Sequence, residues 1–352
     1  MAKVFFLLPD LSAGGAERVS ITFARLLKKE EFDVEFVNFG HSDGEMLDWI
    51  VPEFKLTSFG LRRSLAAIPT LGKFMRKNRD AIYFSSREHV NIISLISSKY
   101  ARTSSVVRIP NMPKNVLVTG MAGFKAWAIK KVNRWILRSA KTIIAQNDEM
   151  KKQLIDFYDL PENLVQVINN PVDKDYIHKM AADSISPFHD CEINFVSICN
   201  IAYSKGIDVL EDAWPRVKAV LPSAHMYIIG RDTSEYALKM KKKAESLKDF
   251  TFLGFQGNPY PYLKYCDCFV LPSRMEGFPN VILEAMCFDK PIASTNCVKI
   301  IEEIILPDIN GYFCQVSAPD FLADCMIKAS QLKSPKFSYN LFGKGALIKC
   351  FK

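Results

Sequence analysis

The residues with the most chemistry to offer lie in one stretch, Ser273 to Met286, which reads SRMEGFPNVILEAM. Gly277 and Pro279 make it a turn that runs into a helix, because proline at a first helical position has its φ already set and loses no needed N–H. Unpaired backbone N–H groups at such a helix start sit at the positive end of the dipole and suit a phosphate. Two carboxylates, Glu276 and Glu284, flank the turn. A carboxylate repels a phosphate but accepts hydrogen bonds from sugar hydroxyls. The combination points to a ligand carrying both groups, a nucleotide sugar. The plainer reading is that the two acids only favour the helix start.

That turn needs a strand before it, and Cys268-Phe269-Val270-Leu271-Pro272 is an apolar run of strand length. The same rhythm runs through the chain. Val4 to Leu8 is wholly apolar, as expected of a parallel strand covered on both faces. It leads through Gly14-Gly15 into an amphipathic segment ending near Lys29. Further strands are expected at 34–38, 81–85, 142–147 and 164–168, and the polar loop 86–91 follows the second of these. The second half restarts with strands at 193–198, 224–230, 251–254, 268–272, 291–295 and 311–314. Two βα-repeating halves imply two Rossmann-like domains with parallel sheets facing a cleft. Their bounds read as 1–175 and 190–330, with a linker at 176–189 and a tail, 331–352, that could pack back on the first domain. The turn Asn169-Asn170-Pro171-Val172-Asp173 marks the first domain's end. The dinucleotide fingerprint G-x-G-x-x-G is absent after Val4 to Leu8, which argues against a nucleotide-dependent reductase.

A length of 352 residues suits two domains, and 49% hydrophobic with 24% charged residues is ordinary globular composition. Nothing resembles a secretory leader or a membrane span, so a cytoplasmic protein is expected. All nine cysteines lie beyond residue 190, mostly in apolar runs, and Cys266 and Cys268 have neither redox nor zinc-ligand spacing. They read as buried thiols. The net charge of +8 is uneven: residues 1–173 hold 25 Lys+Arg against 18 Asp+Glu, a balance of +7, which leaves +1 for residues 174–352. A basic half suits nucleic acid, anionic lipid or a phosphorylated substrate. No nucleic-acid-binding motif accompanies it. Phe124 to Arg138 alternates apolar and basic residues at helical spacing and contains Trp127 and Trp135. It reads either as a packed helix with a solvated face or as a helix lying on an anionic membrane.

Four landmarks in order, Gly14-Gly15-Ala16-Glu17-Arg18, Asn170-Pro171-Val172-Asp173, Lys205-Gly206-Ile207-Asp208 and Glu276 to Met286, resemble the retaining glycosyltransferases of family 4. The last is similar to that family's pair of glutamates with seven residues between them, and the first to members that build bacterial surface polysaccharides and lipid-linked glycans. The resemblance spans roughly residues 3 to 330 and implies the GT-B fold. It implies that Lys205 neutralises the donor diphosphate, that Glu276 holds the transferred sugar, and that Glu284 binds the ribose. Gly277, Phe278, Asn280 and Val281 would offer backbone N–H groups to the phosphates, and Gly15 would let the first domain's loop approach them. Lysine and a helix start can stabilise the leaving group, so neither metal nor other cofactor is expected.

Two departures from the family pattern stand out. Asn200 occupies a position where the family often has arginine in the diphosphate clamp, and Arg231 is a candidate substitute. The first-domain stretch that usually carries a histidine reads Val106 to Asn111 here, leaving Arg108, Asn111 or His89 as candidate acceptor ligands. The expected activity is transfer of a hexosyl or N-acetylhexosaminyl group, most simply from a UDP-sugar, to a surface glycan or its polyprenyl-linked precursor, with the protein peripheral at the inner membrane face. Two alternatives are a transferase for a soluble small-molecule acceptor and an inactive nucleotide-sugar-binding membrane scaffold.

Overall fold

The computed structural model describes residues 1–12, 14–111, 124–188, 193–333, 335–337 and 344–352. Cys191, residue 189 of the expected linker and part of the expected tail lie outside them. The chain divides into two compact units, Met1–Pro171 with Leu341–Lys352, and Val172–Asn340.

The first unit is built on a seven-stranded sheet of β1 (Lys3–Leu8), β2 (Asp33–Asn38), β3 (Lys55–Ser58), β4 (Ile82–Ser85), β5 (Ser104–Arg108), β6 (Thr142–Ala145) and β7 (Val165–Val167). Their spatial order is β3-β2-β1-β4-β5-β6-β7, every neighbouring pair parallel. The unbroken apolar run of β1 is explained by its central place. Val4, Phe6 and Leu8 enter a core on one face, with helix Gly15–Lys29, while Phe5 and Leu7 enter a second core on the other, with helices Ala67–Lys77 and Glu88–Ala101. Helix Lys344–Cys350 also belongs to this unit. Leu347, Cys350 and Phe351 are buried in the first of these cores, and the Phe351 ring lies 6.0 Å from that of Phe84.

The second unit has a six-stranded parallel sheet: β8 (Ile193–Ile198), β9 (Ala224–Ile229), β10 (Phe250–Gly254), β11 (Cys268–Leu271), β12 (Ile292–Thr295) and β13 (Gly311–Cys314). The order is β10-β9-β8-β11-β12-β13. Its core gathers the apolar faces of helices Ile207–Val220 and Pro319–Ser330 around Phe195, Trp214 and Val270. Both sheets are doubly wound, with the strand order reversing between β1 and β4 in the first and between β8 and β11 in the second. Ligands of such sheets bind outside the carboxyl ends of the strands at those reversals.

Of the stretch expected as a linker, 176–189, the described residues 176–188 make tertiary contacts. Helix Lys174–Met180 occupies its start, capped by Asp173, whose side chain accepts from the Tyr176 N–H. Ile177 is buried, Asn258 and Lys264 donate to the carbonyls of Met180 and Ala181, and the Phe188 ring sits 4.8 Å from that of Tyr227. Its serine, proline and aspartate content suggested a free connector. Tertiary contacts that composition does not display hold it to the second unit instead.

Candidate active site

In the second unit, Lys205 closes a short 3-10 turn after β8, just before helix Ile207–Val220, and Glu276 lies in the loop after β11. Since β8 and β11 are neighbours at the reversal, the topology brings these two loops together. Gly206 lets them touch. Its φ is +66°, and a Cβ there would lie 2.0 Å from the Pro272 carbonyl oxygen, so no other residue fits both the backbone conformation and the space.

The Lys205 ammonium donates to both carboxylate oxygens of Glu276, at 2.7 and 2.8 Å. Ser273 Oγ donates to Glu276 Oε1 at 2.7 Å, and the Ser273 carbonyl is in turn held by Thr295 Oγ1. Burial works to lower the Lys205 pKa, but the charge and hydrogen bonds of Glu276 outweigh it, and the net shift is upward. Lys205 therefore stays cationic at neutral pH. The thiols of Cys199 and Cys297, which feel the same two charges, are pushed up to about 12 by burial and are inert.

A second cluster fastens the loops. The backbone N–H of Arg274 donates to the Ser204 carbonyl at 2.8 Å, and its guanidinium forks onto Asp208, with both bonds at 2.7 Å. The same guanidinium donates to the Tyr203 carbonyl and lies 4.1 Å from the centre of the Tyr203 ring. Tyr236 OH adds a bond to Asp208. Arg274 and Asp208 flank Glu276 and Lys205 in sequence, so this clamp fixes the spacing of the ion pair. Sequence reading gave neither residue a role. The signal available was a complementary charge two or three positions from each expected site residue.

The remaining donor-side residues are less concentrated. Pro279 immediately precedes helix Asn280–Met286, which carries Val281 and the half-buried Glu284; Gly277 and Asn280 are also half-buried, and the Phe278 side chain is buried. Asn200 is exposed. Arg231 has its guanidinium 4.6 Å from the Phe255 ring centre, and its carbonyl accepts from the Ile201 N–H. The Ile201 bond ties the Arg231 backbone to the loop after β8. Among the described residues no three His, Cys, Asp or Glu side chains are grouped to hold a metal ion.

In the first unit the expected acceptor ligands part company. His89 is exposed in the first turn of helix Glu88–Ala101, and Asn111 is exposed and donates to Glu88 at 2.8 Å. Arg108 is instead an interior residue. It is 2% exposed, donates through Nε and Nη2 to Asn170 Oδ1 at 3.1 and 2.6 Å, and through Nη1 to Ser86 Oγ at 2.8 Å. Burial pulls its pKa down to about 9 against the pull of Glu17 and Glu88. Arg108 therefore ties β5 to the Asn170 turn. A Cβ at Gly15 would meet nothing within 4 Å, whereas one at Gly14 would lie 2.5 Å from Glu17 Oε2. Of the two adjacent glycines, Gly14 is the one at which an added Cβ would press on the Glu17 carboxylate.

No helix among the described residues is long and apolar enough to cross a membrane. Helix Phe124–Leu137 buries Ile136 and Leu137 but leaves Trp127, Val132 and Trp135 each more than half exposed. The Lys99 ammonium stands 3.5 Å from the Trp135 ring centre.

Comparison with known proteins places both units. Residues 13–176 match the family model described as Glycosyltransferase Family 4, and residues 192–331 match that of Glycosyl transferases group 1. An uncharacterized glycosyltransferase of Methanocaldococcus jannaschii is 27% identical over 183 residues, which is 50% of this chain and 45% of that protein. This chain thus spans less than half of that relative's length. The UDP-Gal:alpha-D-GlcNAc-diphosphoundecaprenol alpha-1,3-galactosyltransferase of Escherichia coli is 22% identical, with 93% of this chain and 87% of that protein covered. Among solved structures, Anabaena HepE, crystallised with UDP and glucose, superposes with a TM-score of 0.75 at 17% identity, covering 94% of this chain and 93% of its own. With two doubly wound parallel sheets and both family models matched in order, the chain belongs to the family 4 glycosyltransferases and has the GT-B fold.

Proposed function

We propose that this glycosyltransferase moves a hexosyl or N-acetylhexosaminyl group from a UDP-sugar to a glycan carried on a polyprenyl diphosphate, with retention at the anomeric carbon and without a metal. The observation that carries this is the Lys205–Glu276 pair at the strand-order reversal of the second unit. As the bond from the anomeric carbon to the diphosphate breaks, negative charge develops on the leaving oxygen. A cation already fixed in place stabilises that charge with little reorganisation. In this reading Glu276, held by Ser273 and Lys205, accepts from hydroxyls of the transferred sugar. The choice of UDP is supported by the donor named for the E. coli relative and by the UDP held in Anabaena HepE. The choice of acceptor is supported by the GlcNAc-diphosphoundecaprenol named for the E. coli relative.

Thermal denaturation with UDP, GDP, ADP and CDP in EDTA tests the donor reading. UDP at a hundred times its Kd should stabilise the fold by about 2.7 kcal/mol and raise the melting midpoint, and the other nucleotides should do less. No shift with UDP in EDTA overturns the reading.

A peripheral place at the inner membrane face is part of the same proposal. Exposed Trp127, Val132 and Trp135, with Lys99 beside Trp135, give a surface in which aromatics meet the headgroup level and cations meet anionic lipid. The protein should float with phosphatidylglycerol vesicles at low salt and be released at high salt. Failure to float at low salt removes the membrane claim.

A further inference from the structure

Glu17 is a buried carboxylate of the first unit with half its bonding capacity unused. It lies in the first turn of helix Gly15–Lys29 and is 2% exposed. Its Oε1 is paired with Arg87 Nε, while Oε2 is buried with no hydrogen-bond partner. Leaving a buried acceptor unmatched is costly, and such a group in a native fold needs an explanation.

Its position supplies one. Helix Gly15–Lys29 follows β1, and Arg87 directly precedes helix Glu88–Ala101 after β4. Glu17 and Arg87 therefore meet at the carboxyl end of two adjacent parallel strands, where the order of this sheet reverses. The charges around them nearly balance. Arg87 feels Glu17, Asp10 and Glu88, and Arg108 feels Glu17 and Glu88. A phosphate cradle would need a cationic excess, whereas a ring of hydroxyls finds donors and acceptors of both kinds here. Gly14 lies directly against Oε2, since a Cβ at that position would stand 2.5 Å from it and 3.2 Å from Arg87 Nη2. Two successive glycines also let that turn yield by the small amount a ligand hydroxyl needs to reach a covered oxygen.

We propose that Glu17, oriented by Arg87, is the residue of the first unit that accepts a hydrogen bond from a hydroxyl of the acceptor sugar. The inference rests on the transferase reading for the word acceptor, but the binding it asserts can be measured without turnover.

The test uses the full chain and, as probes, p-nitrophenyl α- and β-glycosides of glucose, galactose and N-acetylglucosamine, with saturation-transfer NMR reporting contact and UDP-induced thermal shift reporting the second unit. At least one glycoside should bind the natural protein, and its Kd should rise at least tenfold in Glu17→Gln, the loss expected for one hydrogen bond to a charged group. Gly14→Ala, which adds a methyl beside Oε2 without altering charge, should weaken the same glycoside and leave the UDP shift unchanged, so the proposal does not depend on the folding of one variant. Binding of none of the six glycosides, or equal binding by the natural protein and both variants, overturns the proposal. If UDP fails to stabilise any form while the Glu17-dependent binding persists, the donor reading falls and the sugar site stands.

Discussion

Replacing Lys205 by methionine removes the charge but keeps most of the volume, and the structure sets the size of two separate effects. The ammonium bonds both oxygens of Glu276, with side chains 25% and 12% exposed. Breaking a fully buried pair costs about 3–5 kcal/mol and breaking an exposed one about 1 kcal/mol or less. A pair of intermediate exposure should therefore cost about 2 kcal/mol, a fall of roughly 4–8 °C in the midpoint of a unit this size. Most of that cost is Glu276 left without its cation, so Lys205→Met with Glu276→Gln should recover stability by more than half. Transfer should behave differently. Loss of one fixed group facing the developing charge costs roughly 10²–10³ in kcat, and the double variant should regain none of it. Denaturation monitored by circular dichroism gives the stabilities, and radiolabelled sugar transfer gives the rates. Turnover of Lys205→Met within tenfold of the natural enzyme, or recovered turnover in the double variant, would refute the assignment of this pair to the leaving group.

Two further predictions concern the scaffold. Gly206→Ala should destabilise the second unit by at least about 3 kcal/mol, because the left-handed conformation costs an L-residue about 1–2 kcal/mol before the overlap with the Pro272 carbonyl is counted; urea denaturation would show it, and a loss under 1 kcal/mol would mean the loops part easily. Glu211, whose buried carboxylate accepts no hydrogen bond and has the Lys243 ammonium 3.7 Å from Oε2, has its pKa raised to about 7 by burial, with Lys243 opposing and Asp212 and Asp208 adding to the rise. The folded state then holds a proton that the unfolded chain releases above its ordinary value near 4.5, so stability should fall by roughly 3 kcal/mol as pH rises from 4.5 past 7. Glu211→Gln should flatten that slope in thermal scans, and an unchanged slope would exclude Glu211 as its source.

How far the sequence carried these readings depended on the range of the interactions. Strands such as β1, from Val4 to Leu8, and β11 are unbroken apolar runs because both faces are covered, and that pattern is local. Edge strand β3, KLTS, has one exposed and three half-buried residues and offers no such signal. Lys205 and Glu276 were both placed at the donor by family resemblance. Their direct pairing, with Gly206 set against Pro272, needed the fold to bring residues about seventy positions apart into contact. Arg108 looked like an exposed ligand because arginines usually are. Its burial is made possible by Asn170, sixty-two residues away. The Glu17–Arg87 pair was missed for the same reason.

Residues 344–351 have a bearing on how the molecule is made. They follow the entire second unit in the chain, yet Leu347 and Phe351 are sealed in the interior of the first. During synthesis the first unit must wait, its hydrophobic interior incomplete, while the second emerges and folds. A ribosome that stalls anywhere within residues 172–340 releases a product whose opening half exposes the apolar surface meant for Phe351, the kind of surface that quality-control chaperones bind.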